Sequence, residues 1–177
     1  GYRAGESATG VGSTLMGDSA GLSITSGNSN SYYGAAAGYS TTTGADNVAI
    51  GNNALLANNT GAENTAVGSL ALDANTTGVH NVAIGREAMG VNTGGYENTC
   101  VGNQAGASIT TGYHNVVLGH RSAFEGNNIT TGINNTLVGA FARTSSASVD
   151  GELVLGRNAL GQGASTGSLG KSGTGVH

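Results

Sequence analysis

The chain has 177 residues, of which 33 are glycine, none is proline or tryptophan and only 9% are charged, a composition that is unusual for a globular enzyme and typical of repetitive β-structure. Its net charge of -4, with no cluster of lysine or arginine, and the lack of any apolar run of roughly 18 residues lead us to expect neither nucleic acid binding nor membrane insertion. The single cysteine, Cys100, excludes an intrachain disulfide and a cysteine-rich zinc site.

A 17-residue repeat organises most of the chain. We expect an irregular leading segment at 1–12, a repeat domain at 13–161 and a Gly/Ser-rich C-terminal segment at 162–177. A glycine marks each unit, and extra residues in the stretch SAFEGNNIT shift the register once. These glycines are Gly17, Gly34, Gly51, Gly68, Gly85, Gly102, Gly119, Gly139 and Gly156.

The unit follows the pattern TGxxNxAIGxxALxxN, whose apolar residues do not recur at helical spacing. The run NVAIG instead indicates a short strand between turns, and each unit has room for two such strands. Stacked units predict an all-β fold, a parallel β-solenoid of about ten 17-residue coils. With strands about 4.8 Å apart, the rod is roughly 50 Å long. Thr-Gly pairs mark one turn, where glycine can adopt positive φ at no steric cost.

Asparagine recurs four residues before the repeat glycine. Stacking brings these side chains close together, so we expect a structural ladder in which each amide bonds to the next coil. The ladder residues are Asn30, Asn47, Asn64, Asn81, Asn98, Asn115 and Asn135.

Both faces of the predicted strand are apolar. Because a thin solenoid has one interior, the second face requires a partner, and the simplest partner is another copy of the chain around a closed symmetry axis. We predict that the column two residues before the glycine lines this axis. Its members are Ala49, Ala66, Ala83, Cys100, Val117, Leu137 and Val154.

The strand motifs carry a resemblance to known families. The runs NVAIG, NTAVG and NVVLG resemble the head repeats of trimeric autotransporter adhesins, in which three chains of left-handed parallel β-roll form a head. The stretches ANNTGAENTAVGSLAL and NTTGVHNVAIG look closer still to repeats of bacteriophage tail fibres. The resemblance covers about residues 13–161 and implies a left-handed β-roll, a homotrimer and a scaffold whose receptor sites vary.

The chemistry-bearing side chains do not suggest catalysis. Acidic and histidine residues share a column five before the glycine, which we interpret as an exposed polar edge rather than a cation site. The other carboxylates are scattered without a common cleft, unlike those of a polysaccharide-cleaving spike. We therefore predict no enzyme activity, no metal and no cofactor. The column comprises Asp46, Glu63, His80, Glu97 and His114.

Two features are candidates for receptor binding. The column six before the glycine becomes aromatic or bulky at Tyr96, Tyr113 and Ile133, where a turn exposes it to solvent or to a neighbouring subunit. The register-shifting insertion is the other, because irregular loops on rigid scaffolds often bind ligands. Its candidate residues are Phe124, Glu125, Asn127 and Asn128.

We therefore expect a non-catalytic, structural and host receptor-binding segment of a bacteriophage tail fibre, located in the virion. Its expected partners are further copies of itself in a homotrimer, a host cell-surface glycan or protein, and other tail proteins of the virion. The alternative is the head domain of a bacterial trimeric autotransporter adhesin on the outer cell surface.

Overall fold

The computed structural model of the protein describes residues 1–124 and 129–169. Ten parallel strands of three residues, each paired with the next in chain order, form one sheet along the side of a β-solenoid of about nine coils. This confirms the predicted all-β fold class. The strands are β1 (Thr14–Met16), β2 (Ser31–Tyr33), β3 (Val48–Ile50), β4 (Thr65–Val67), β5 (Val82–Ile84), β6 (Thr99–Val101), β7 (Val116–Leu118), β8 (Thr136–Val138), β9 (Leu153–Leu155) and β10 (Gly167–Leu169).

Coil stacking extends beyond both limits predicted for the repeat domain. Within the leading segment, the backbone N–H of Gly5 donates to the carbonyl of Ala20 in the following coil. Strand β10 lies in the segment predicted as Gly/Ser-rich and pairs in parallel with β9. The stacked architecture therefore includes residues that do not carry the 17-residue pattern.

The middle residue of each strand points into the coil of its own chain. The column predicted to line a symmetry axis is fully buried within the single chain, so that prediction is wrong. Alternate strand residues face opposite ways, and alanine and leucine columns from the far wall of the same coil close over this inner face. The corrected residues are Ala49, Ala66, Ala83, Cys100, Val117, Leu137 and Val154.

The far wall of the coil is not the second strand that we expected. Ala71 and Leu72 are adjacent in sequence and both fully buried, which a strand with alternating side chains does not allow. Left-handed residues bend the chain instead, with φ of 60° at Leu70 and 50° at Leu72. The backbone still bonds along the rod, as the N–H of Leu72 donates to the carbonyl of Ala88 at 3.0 Å.

The Thr-Gly turns require glycine because there is no room for a side chain, and not because the backbone adopts positive φ. Positive φ, which glycine allows at such a turn, is not adopted by any of the predicted turn glycines. A Cβ at Gly61 would lie 2.5 Å from the carbonyl oxygen of Gly78 in the next coil, which no side chain tolerates. Positive φ occurs two residues later instead, at Glu63 (57°) and His80 (55°).

The predicted asparagine ladder is confirmed. The Asn81 side-chain N–H donates to Asn64 Oδ1 at 3.1 Å and to the Gly95 carbonyl at 2.8 Å. Its Oδ1 accepts from the backbone and side-chain N–H groups of Asn98, both at 3.1 Å. Because all seven ladder asparagines are fully buried, these bonds satisfy amides that cannot reach water.

Two further features add buried hydrogen bonds inside the rod. The buried carboxylate of Glu152 takes the ladder position after Asn135, and its backbone N–H donates to Asn135 Oδ1 at 2.9 Å. A second, shorter ladder joins Asn58, Asn75 and Asn92, whose amide-to-amide distances are 2.9 and 2.8 Å. The sequence carried a signal for this second ladder, the final asparagine of the unit pattern, that we did not interpret.

Candidate functional site

Three residues predicted for receptor binding lie side by side on the surface. Tyr96, Tyr113 and Ile133 each stand three residues before a strand, and Tyr113 and Ile133 are joined by a parallel β-bridge. The tyrosine rings are stacked, with centroids 4.6 Å apart and planes inclined by 6°. This spacing matches the strand separation of about 4.8 Å, so the coil repeat itself aligns the rings. We call these three residues the tyrosine strip.

Polar groups border the tyrosine strip. The ring of His114 meets both tyrosines edge-on, at 5.7 Å from Tyr96 and 5.0 Å from Tyr113. Its Nε2 lies 2.9 Å from a carboxylate oxygen of Glu97. An apolar strip with a histidine–carboxylate pair at its border offers stacking together with hydrogen bonding.

The insertion candidates are only partly described. Phe124 is half-buried, and its ring lies 4.3 Å below the guanidinium carbon of Arg121. Glu125, Asn127 and Asn128 lie outside the described residues. Phe124 does not join the tyrosine strip, because it follows β7 whereas the strip residues precede their strands.

A cavity of about 170 Å³ opens beside Phe124. It is lined by two arginines, two phenylalanines and one asparagine, which come from successive coils after β7, β8 and β9. We call it the arginine cavity. Its lining residues are Arg121, Phe124, Phe141, Arg143 and Asn158.

A second cavity of about 310 Å³ shares the Phe124 wall and contains two carboxylates, Asp73 and Glu87. We call it the carboxylate cavity. Burial raises the pKa of Asp73 above its ordinary value, and the charge of Glu87 raises it further. Hydrogen bonds from the backbone N–H groups of Asp73 and Ala74 lower the pKa but do not cancel this rise. Glu87 is held by an ion pair with Arg86 and a hydrogen bond from Gln104.

The arginine cavity was not predictable from the repeat, for a physical reason. Arg121, Phe141 and Asn158 stand at the same place in three consecutive coils, two residues after the repeat glycine. All three have positive φ, between 51° and 58°, and this backbone shape was not expected from the repeat. The register shift at the insertion also hides the vertical alignment of Arg121 with Phe141.

The last residues of the strands form an outward column that is apolar and uncharged. Exposed fractions in this column include 43% for Ile50, 39% for Ile84 and 36% for Val101. None of the ten strands contains a charged residue. We call this column the sheet face. Its members are Met16, Tyr33, Ile50, Val67, Ile84, Val101, Leu118, Val138, Leu155 and Leu169.

Reactive groups are few in the described part of the chain. Burial raises the pKa of the Cys100 thiol, which is enclosed in the core and unsuited to nucleophilic attack. Residues 1–124 and 129–169 hold no group of three or more histidine, cysteine or acidic side chains arranged to bind a metal ion. The same residues contain no helix with the length and apolarity needed to cross a membrane.

No protein-family model matches the chain, and neither a curated protein nor a solved structure is significantly similar to it. The chain's own surfaces therefore provide the support for a function.

Proposed function

We propose that the chain is a non-catalytic, structural and host receptor-binding segment of a bacteriophage tail fibre. The tyrosine strip is the observation that carries this proposal. Its stacked rings are held at coil spacing by the ladder-braced scaffold, and Tyr96 keeps 36% of its surface exposed. Preorganised aromatic surface loses little conformational freedom on binding, and it suits the flat apolar faces of sugars and protein side chains.

The sheet face supports assembly into a homotrimer. An uncharged apolar column that runs across all ten strands is larger than the isolated apolar residues that are normal on the surface of a monomer. A second copy of the chain has the same distance between coils, so the sheet-face side chains of the two copies can pack between one another along the rod. Three copies around an axis would carry three tyrosine strips, and weak contacts would then act together.

The assembly is tested by light scattering at micromolar concentration. We expect three times the chain mass of 17.2 kDa. The change Ile84→Lys places a charge on the sheet face and should dissociate the assembly, whereas Thr77→Lys on an exposed turn should leave it intact. A wild-type mass of one chain would contradict the trimer, and so would equal effects of the two lysines.

Receptor binding is tested with labelled protein and a panel of bacterial strains. On a strain that binds the wild type, the double change Tyr96→Ser with Tyr113→Ser should lower binding at least tenfold and leave the melting temperature nearly unchanged. Tyr39→Ser is the matched control, because Tyr39 is similarly exposed at 37% and lies outside the strip. Absence of wild-type binding to every strain would contradict the proposal. A clear loss of thermal stability in the double variant would instead make the tyrosines part of a subunit interface.

The head of a bacterial trimeric autotransporter adhesin is the second candidate, supported by the VAI strands β3 and β5. It places the same scaffold on a cell surface rather than on a virion. Immunogold labelling of cultures that produce the full-length protein separates the two locations. Labelled phage tails would support the fibre, and a labelled bacterial outer surface would support the adhesin.

A further inference from the structure

We propose that the arginine cavity binds one sugar ring that carries a carboxylate, such as a uronic acid unit of a surface polysaccharide. The inference names a ligand class for the attachment function proposed above and rests on that function. It concerns a different surface from the tyrosine strip, because the cavity residues follow their strands and the strip residues precede theirs.

Charge is the first argument. The chain has only six lysine and arginine residues and a net charge of -4, yet Arg121 and Arg143 line the same cavity. Two guanidinium groups around one cavity in an acidic protein are complementary to an anion, and their planar forks match a carboxylate.

The state of Arg143 is the second argument. Its Nε is buried and has no hydrogen-bond partner among residues 1–124 and 129–169. A buried donor without a partner lowers the stability of the fold. A bound carboxylate at the cavity is the kind of acceptor that would remove this cost.

The walls of the cavity argue for a sugar rather than a bare anion. Phe124 and Phe141 provide apolar surface of the kind that covers the C–H face of a pyranose, and Asn158 adds an amide for hydroxyl groups. Phe141 is braced by an edge-on contact with His120, with centroids 5.2 Å apart. The volume of about 170 Å³ is below the roughly 300–1,000 Å³ of pockets for larger ligands, which favours a single ring.

The carboxylate cavity extends the inference to the neighbouring unit of the polymer. It shares the Phe124 wall and contains Asp73 and Glu87. Carboxylates accept hydrogen bonds from hydroxyl groups and repel other anions. A chain that spans both cavities therefore places a neutral sugar against Asp73 and Glu87 and its acidic sugar between the arginines.

The test uses the purified full chain and soluble sugars, with chemical-shift changes in NMR spectra as the readout. Methyl β-glucuronide should bind and shift the amide signals of residues around Phe141 and Asn158. The neutral analogue, methyl β-glucoside, should bind at least tenfold more weakly. Sodium phosphate tests a bare anion, and we expect binding at least tenfold weaker than that of the glucuronide.

Variants assign the binding to the cavity. Arg143→Gln should weaken glucuronide binding at least tenfold, and Arg143→Lys should restore only part of it because the planar fork is lost. Arg157→Gln is the matched control, since Arg157 is exposed and does not line the cavity. If Arg143→Gln fails to fold, Arg121→Gln provides the same comparison.

Each result decides the inference. Equal binding of glucuronide and glucoside, equal binding of glucuronide and phosphate, or equal loss in Arg143→Gln and Arg157→Gln would overturn it. The double change Tyr96→Ser with Tyr113→Ser should keep glucuronide binding. The two proposals are therefore tested separately, and a protein that attaches to cells without binding glucuronide would overturn only the cavity inference. Glucuronide binding without attachment of the protein to any cell would sink the receptor proposal and leave the cavity intact.

Discussion

Tyr32 and Gly38 share one layer of the core: a Cβ at position 38 would lie 2.1 Å from the Cε2 of the Tyr32 ring. The same compensation recurs where Cys100 faces Gly106, since a Cβ there would lie 2.4 Å from its Sγ. In coils whose inward strand residue is alanine, the position of Gly38 holds a large side chain, as at Leu55, Leu72 and Met89. The coil keeps a constant cross-section because large and small residues alternate between its two walls.

The change Gly38→Ala should therefore destabilise the rod strongly. The added methyl group overlaps the Tyr32 ring, and the φ of 59° at Gly38 strains any residue with a Cβ. We expect a loss of at least about 2 kcal/mol in the free energy of unfolding, measured by urea denaturation. Gly94→Ala is the control, because its Cβ would meet only the Thr77 hydroxyl, at 3.3 Å. Equal losses would show that the coil adapts its width freely.

The asparagine ladder should matter more than the polar edge beside it. Asn81→Leu leaves the buried backbone N–H of Asn98 without its acceptor and removes side-chain hydrogen bonds to Asn64 and Gly95, at a cost of about 1 to 3 kcal/mol. His80→Asn removes a partly exposed contact with Glu63 at 3.2 Å and keeps a residue type that tolerates positive φ, so its cost should be below about 1 kcal/mol. Thermal melting of both variants checks this, and equal shifts would refute the structural role of the ladder.

Cys100 should resist thiol reagents in the native state. It is fully buried, and burial raises the pKa of its thiol, so little thiolate forms at pH 8. Iodoacetamide should modify it only after unfolding in urea, as mass spectrometry would show. A short bismaleimide should not join native chains through Cys100, because the thiol faces the interior of its own coil. Rapid alkylation of the folded protein would mean that this column is accessible after all.

Asp73 should make the protein less stable as pH rises. Since burial raises the pKa of its carboxyl in the folded chain, the folded state binds the proton more tightly than the unfolded state. Its contribution is most favourable below the ordinary value of about 4 and declines as pH rises through the folded value. Asp73→Asn should raise the melting temperature at pH 7 more than at pH 4, measured by differential scanning calorimetry. A larger gain at pH 4 would reverse the sign.

The regular part of the fold was predictable because its causes repeat in the sequence. The glycine and asparagine columns set the coil length and the ladder, and both agree with the structure. Which face of the strand points inward was not predictable, since the columns of middle and last strand residues are both apolar. The far wall of the coil determines which of the two columns is buried. That wall depends on left-handed residues such as Leu72 and Glu87, which local sequence preferences do not indicate. The tyrosine strip followed from periodicity, whereas the arginine cavity required the actual register across the insertion.

The direction of the backbone hydrogen bonds has a mechanical consequence. They run along the rod from one coil to the next, so tension applied at the two ends loads them one coil after another rather than all at once. A coil that peels away consumes about 5 Å of rod but releases 17 residues, roughly 55 to 60 Å of extended chain. Under tension such a rod therefore lengthens in small steps as single coils unfold, and the remaining coils keep their structure.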